Sequence, residues 1–268
     1  RIERDGAEHW LVVDRAADKL WEPTRDSCLE NGFIKMREDR QIGILETDWA
    51  ENRAKLPQDI IRKTLGKVFD SLYSTSERDK FRTRLEREAD GKTRIYVTHR
   101  GMQEVYSNQS KDSTVWQARP TDPELEAEFL RRLMVKLGVS QEQAKAALAA
   151  AAQGQAAPQA ARVVAAGSTS AVQLNEEFDR AWRRVGLALD RTGFTVEDRD
   201  RSKGLYFVRY IDPTVEKKEA GFFGRLLGRG SQQLPTSQYQ IAVRSEGQSS
   251  VVTVNDRAGA PAASADAQ

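Results

Sequence analysis

A single cysteine, Cys28, rules out internal disulfides and leaves the redox compartment open. Histidine is almost as scarce: His9 and His99 are the only two, and no Cys/His spacing suits zinc. No glycine-rich phosphate loop and no strained nucleophile turn occurs. Too few groups remain for a nucleophile, a base and an orienting residue to converge, so the sequence predicts no enzyme activity, no cofactor and no metal. No apolar run reaches the roughly 20 residues that a membrane-spanning helix needs. Charge is abundant but balanced: 42 Lys and Arg against 40 Asp and Glu give a net charge of +2, which does not require a polyanionic partner. The chain opens at Arg1 without an initiator Met or an apolar signal core, so any targeting segment is expected to be removed or to lie outside it.

What the chain does contain is one pattern twice. Trp21, Gly32-Phe33, Asp39-Arg40 and Gly43 recur at unchanged spacing as Trp182, Gly193-Phe194, Asp200-Arg201 and Gly204. A repeated supersecondary unit is most simply two copies of one small domain, and 268 residues suit two domains of ordinary size.

In the first copy Glu8 to Val13 reads as a strand. Ala17, Leu20, Trp21, Thr24 and Cys28 then share one helical face, ended by Asn31-Gly32. Pro23 inside that pattern predicts either a kink or a later helix start. Strands are expected over Phe33–Glu38 and Ile44–Trp49, then an amphipathic insertion or anchored loop over Pro57–Thr75. Lys80–Arg87 and Thr93–Arg100 follow as strands around the hairpin signal Ala89-Asp90-Gly91. Phe81, Thr83 and Leu85 alternate with Arg82, Arg84 and Glu86, which predicts a sheet with one wet face. A helix capped by Thr121 or Asp122, lined by Leu125, Phe129, Leu133, Val135 and Leu137 and stopped by Gly138, closes the unit.

The second copy repeats this order. Ala171–Leu174 reads as a strand, and Phe178, Ala181, Trp182, Val185 and Leu189 form the helix face. Phe194–Asp198, Leu205–Ile211, Gln238–Arg244 and Ser249–Asn255 read as the later strands. Ala258–Gln268 carries no apolar periodicity, so a closing helix is missing there. Between the copies, Ser140–Gln153 is helix-forming with Ser140 and Gln143 at capping-box spacing, and Gly154–Ser170 reads as a flexible linker. The expected fold class is α+β: two tandem helix-grip domains, each a long helix on a curved antiparallel sheet, at 1–138 and 171–268, joined by a linker at 139–170.

The chemistry-bearing residues favour structural roles. His99 follows Ile95 and Val97 at period two and has no legible partners. Cys28 occupies the place of Leu189, which marks it as a small buried hydrophobe. The turns Arg37–Arg40 and Asp198–Arg201 alternate in sign and read as solvated hairpin ends. Glu86 and Glu88 interrupt Arg82, Arg84 and Arg87, which argues against a nucleic-acid surface. One segment stands apart: Phe222, Phe223, Leu226 and Leu227 lie in a glycine-rich connection and must be buried somewhere, under their own domain or against a partner or membrane. They are the candidate partner-binding residues, while Trp21, Trp182, Gly32, Gly193, Gly43 and Gly204 are structural anchors.

These residues bear a family resemblance. Trp21 through Gly32-Phe33, Gly43–Trp49, Asp59–Arg62 and Arg78–Arg87 resemble the first globular domain of the BamC (NlpB) family. So do His99–Met102, Trp116–Pro120 and the helix from Asp122 to Leu137. The second copy, with Gly204–Pro213 and Gly221–Gly224, is similar to the second domain of that family. The resemblance implies a non-catalytic lipoprotein subunit of the outer-membrane β-barrel assembly machinery. It further implies partners that include BamD and other subunits, attachment through an N-terminal lipidated cysteine, and no nucleic acid. It leaves open whether the domains face the periplasm or the cell surface. The lipid-bearing Cys and the BamD-binding segment are expected to precede Arg1. A competing reading is a helix-grip protein that encloses a lipid or another small hydrophobic ligand; a closed polar-lined cavity would favour it.

Overall fold

The computed structural model describes residues 1–5, 8–33, 36–49, 77–109, 111, 113–152, 161–166, 169–192, 194–210 and 237–262. The chain divides into two compact units, Arg1–Ala157 and Pro158–Gln268.

In unit 1 the helix α1 (Ala17–Glu30) forms because Ala17, Leu20, Trp21, Thr24 and Cys28 fall on one face and are all buried. It starts at Ala17 and runs on through Pro23, so the later start is not what the chain adopts. Burial of residues on both sides of the proline holds the helix together across the missing donor. The sheet holds β1 (Ile2–Asp5), β2 (Glu8–Val13), β3 (Met36–Asp39), β4 (Ile44–Thr47), β5 (Glu77–Arg87), β6 (Thr93–Tyr106) and β7 (Thr114–Arg119). Its order is β1-β2-β6-β5-β4-β3, all antiparallel, with β7 also on β6. The helix α2 (Pro123–Lys136) has Asp122 as its N-cap, whose Oδ1 accepts from the backbone N–H of Glu124 and Leu125, and Pro123 at its first turn. Leu125, Phe129, Leu130 and Leu133 of α2 pack with α1 over Leu11, Phe81, Leu85, Ile95 and Val97 in one core. The rings of Phe33, Phe81 and Phe129 fill its centre, with centroids 5.1 Å apart for Phe81–Phe129 and 5.5 Å for Phe33–Phe81.

The helix α3 (Gln141–Ala152) opens on the expected capping box: Gln143 N donates to Ser140 Oγ, and Ser140 N donates to Gln143 Oε1. Ala144 is fully buried in the core of unit 1, and Arg4 of β1 donates to the carbonyl of Ala151. The linker boundaries are therefore corrected. Residues 141–152 belong to unit 1, and β8 (Ala161–Ala166) belongs to the sheet of unit 2, leaving residues 153–160 outside the described ones. Composition misled here because alanines and valines of low amphipathicity look like a spacer, whereas small side chains also permit close packing.

Unit 2 contains β8, β9 (Thr169–Leu174), the helix α4 (Phe178–Arg191), β10 (Phe194–Asp200), β11 (Leu205–Tyr210), β12 (Ser237–Glu246) and β13 (Ser249–Asp256). Its strand order is β10-β11-β12-β13-β9-β8, the same path as β3-β4-β5-β6-β2-β1. The repeated glycines explain the shared geometry. Gly43 has φ of +73° and Gly204 of +67°, and a Cβ would sit 2.4 Å from the carbonyl oxygen of Leu85 or 2.2 Å from that of Val243. Each glycine oxygen accepts from the same neighbour, Leu85 N or Val243 N, at 2.8 Å. Gly204→Ala should destabilise unit 2 by about 2 kcal/mol, from left-handed strain and backbone clash together. Urea melting of the variant checks this, and an unchanged midpoint would contradict it.

The units differ in what covers the sheet. The row Ile2, Leu11, Ile95, Leu85 in unit 1 corresponds by register to Val163, Val172, Val252, Val243 in unit 2. Leu11 and Ile95 are buried, but Val163 is 75% and Val172 38% exposed. In unit 1, α2 lies over β2 and β6. In unit 2 the chain turns back after β13, Pro261 pairs with Asn255, and no helix follows among the described residues.

Candidate functional site

One edge of β6 is shared by two strands, β2 along Thr93–Tyr96 and β7 along Gly101–Tyr106. The N-terminus of α2 enters the gap between them, and His99 is the residue that receives it. The backbone N–H of His99 donates to Glu126 Oε1 at 2.9 Å, and its carbonyl accepts from Thr121 Oγ1 at 2.9 Å. Its Nδ1 accepts from the N–H of Asp122 at 2.9 Å, so the ring proton sits on Nε2 and is donated to Asp79 Oδ1 at 2.6 Å. Arg119 of β7 donates to the same Asp79 oxygen. His99 and Asp79 are fully buried. Both ring nitrogens are engaged, so the imidazole has no lone pair for a substrate proton or a metal ion. The network ties α2 to β5, β6 and β7.

Cys28 lies in the core of unit 1, and burial pushes its thiol up to about 12, far from a reactive thiolate. The charged turns are neutralised locally. Arg40 donates to Glu22 and Arg201 to Asp179, while Asp39 and Asp200 accept backbone N–H groups of their own turns. No group of three or more His, Cys, Asp or Glu residues poised to hold a metal occurs among the described residues.

The expected wet face of β5 is a correction. Phe81 and Leu85 do alternate with Arg82 and Arg84, but Arg82 and Arg84 are 5% and 3% exposed and Glu86 is also buried. Their charges are matched in place, which is why burial is tolerated. Glu46 of β4 accepts from Arg82 at 2.5 Å and pairs with Lys80 at 2.6 Å; Arg84 pairs with Glu86 and lies 4.5 Å from the Tyr96 ring. Burial alone would raise the Glu46 carboxyl, yet the Arg82 and Lys80 cations outweigh it and hold it at about 2.

Of the anchors, Trp21 and Trp182 are buried at matching positions of α1 and α4, and Gly32, Gly43 and Gly204 have positive φ. Gly193 lies outside the described residues, as do the candidate contacts Phe222, Phe223, Leu226 and Leu227 and the segment Pro57–Thr75. Among the described residues, one open surface cleft of about 310 Å³ lies between the C-terminal ends of α1 and α2, lined by Asn31, Arg132 and Lys136, and another of about 310 Å³ lies against β12, lined by Phe207, Tyr239 and Arg257. Sequence reading missed β7 and the exposed side chains of the β6–β7 hairpin, Tyr106 at 59% and Val115 at 49%. The β-branched and aromatic run Thr114-Val-Trp116 was the signal available.

Comparison with known proteins covers both units. Residues 1–151 match the model of the outer membrane protein assembly factor BamC-like N-terminal domain, and residues 162–268 that of the BamC-like C-terminal domain. The outer membrane protein assembly factor BamC of Thiobacillus denitrificans is 54% identical over 252 residues, which is 92% of this chain and 67% of the relative. The protein of the same description from Accumulibacter regalis is 54% identical over 259 residues, 95% of this chain and 67% of the relative. An uncharacterized protein of Neisseria meningitidis is 41% identical over 251 residues, 92% of this chain and 62% of the relative.

Proposed function

We propose, from the premise that this chain belongs to the BamC family, that it is a non-catalytic subunit of the machinery that assembles β-barrel proteins in the outer membrane. The observation that carries the reading is similarity to assembly factors along both units, in a protein whose buried Asp79–His99 pair is engaged in holding a helix to a sheet. Each unit works as a helix-grip scaffold that presents surfaces to other proteins. BamD and further subunits of the machinery are the proposed partners, with attachment to the outer membrane through an N-terminal lipid. Phe222, Phe223, Leu226 and Leu227 are proposed as one contact, because four large apolar side chains in a glycine-rich connection need a surface to bury against. Enclosure of a small hydrophobic ligand is the weaker reading, since the aromatic centre of unit 1 is filled by its own rings.

Affinity purification from outer membranes tests this. The chain should recover subunits of the assembly machinery, and the Phe222→Ser, Phe223→Ser double variant should recover less of them at unchanged melting temperature. Recovery of none by the parent chain contradicts the reading. A sharp fall in the melting of unit 2 would instead make the pair part of its own core.

A further inference from the structure

We propose that His99 is a proton-operated latch: a proton taken up at Nδ1 frees the first turn of α2 from the sheet of unit 1, while the sheet keeps hold of the ring. The two ring nitrogens are used in opposite senses. Nε2 donates to Asp79 Oδ1 on β5 at 2.6 Å, and it carries a proton in the neutral and the charged ring alike. Nδ1 accepts from the backbone N–H of Asp122 at 2.9 Å, and it can accept only while the ring is neutral. A second ring proton therefore strengthens the bond to β5 and sets two N–H groups against each other at the bond to α2.

The charged groups around the ring come from three elements. On β5, Asp79 is fully buried, and its Oδ2 has no hydrogen-bond partner among the described residues. On β7, Arg119 donates to Asp79 Oδ1 and lies 4.0 Å from Glu77. On α2, Glu126 Oε1 accepts from the backbone N–H of His99 at 2.9 Å, while the Asp122 carboxylate is turned to its own helix and caps Glu124 and Leu125. The remaining neighbour is apolar, the Phe81 ring at 5.3 Å. Two carboxylates, Asp79 and Glu126, against one guanidinium can neutralise a charged ring. What a second proton breaks is therefore the single bond to Asp122.

The turn is the side that gives way. His99 is fully buried, so a charged ring facing the Asp122 N–H would carry the full cost of an unpaired buried donor. Thr121, Asp122 and Pro123 are only half-buried and Glu124 is exposed, so an Asp122 N–H that leaves the ring can turn to water. Leu125, Phe129, Leu130 and Leu133 lie in the core and hold the rest of α2 in place. The neutral ring is the closed state and the charged ring the open one: acid opens the first turn of α2 ahead of any unfolding of unit 1. The latch goes beyond the assembly reading and does not depend on it.

Nuclear magnetic resonance of the 268-residue chain tests this, with the ¹⁵N shift of His99 Nδ1 reporting the ring proton and amide exchange reporting the turn. As the ring charges, protection of the Asp122 amide should fall by about tenfold or more, the scale of one lost buried hydrogen bond. Protection of Leu85, bonded to Gly43 within the sheet, and of Gln143, bonded to Ser140 in the cap of α3, should hold. Asp79→Asn and Glu126→Gln each remove a titrating carboxyl and keep an acceptor, so the loss should still follow the ring proton in both. In His99→Asn the side-chain oxygen takes the place of Nδ1 and cannot be charged, so acid should no longer loosen Asp122. Constant protection of Asp122 as the ring charges overturns the proposal, as does a loss that disappears in Asp79→Asn or Glu126→Gln. A ring that stays neutral until unit 1 unfolds as a whole overturns it too. Should His99→Asn not fold, the titration of the parent chain and the two carboxyl variants decides.

Discussion

Trp182→Ala is expected to destabilise unit 2 by about 3–5 kcal/mol, the scale for deleting a core aromatic. Trp182 is 2% exposed and stacks on Tyr206 with centroids 3.9 Å apart and on Phe178 at 5.8 Å. Tyr206 is buried as well, and its hydroxyl donates to the carbonyl of Trp182 at 2.9 Å, so the substitution leaves a void beside a ring whose polar end is fixed. A domain of this size has a total stability on the order of 5–15 kcal/mol, so unit 2 should be close to unfolding at ambient temperature. Calorimetry of the whole chain should show the transition of unit 2 move down while that of unit 1 stays. A shift of less than about 1 kcal/mol would mean that the tryptophan is not a core anchor.

Glu46→Gln is expected to cost unit 1 about 3–5 kcal/mol, because it takes their shared anion from the buried Arg82 and the half-buried Lys80. Acid should reproduce the effect in the parent chain. The folded carboxyl is held at about 2, below its ordinary 4.5, so the unfolded state takes up protons first. The stabilisation is complete above pH 4.5 and is lost as pH falls towards 2. Stability measured across that interval should slope more steeply in the parent than in Glu46→Gln. Parallel slopes would show that the triad does not carry the acid sensitivity.

The repeat was legible because its anchors are residues that geometry cannot replace: the left-handed glycines 43 and 204 against a neighbouring carbonyl, and the tryptophans at the same helical position. The caps of α2 and α3 were legible for the same reason, since Asp122-Pro123 and Ser140…Gln143 satisfy specific backbone groups. The strands β1, β7 and β8 were not, because edge strands need no buried alternation, and charged or small residues suit them as well as a loop. The burial of Arg82, Arg84 and Glu86 was also invisible, since their compensation depends partly on Glu46, distant in sequence on β4. Both ring nitrogens of His99 are hydrogen-bonded, but the partners in its network come from β5, β7 and α2 and no spacing announces them.

The most direct test places a photoreactive residue at Val115, at Leu29 on α1 and at Val163 on β8, each in the protein at its outer-membrane address in living cells. Adducts with subunits or clients of the β-barrel assembly machinery at one or more of these positions are the predicted result. Folded protein that gives no such adduct at any of the three would contradict the account.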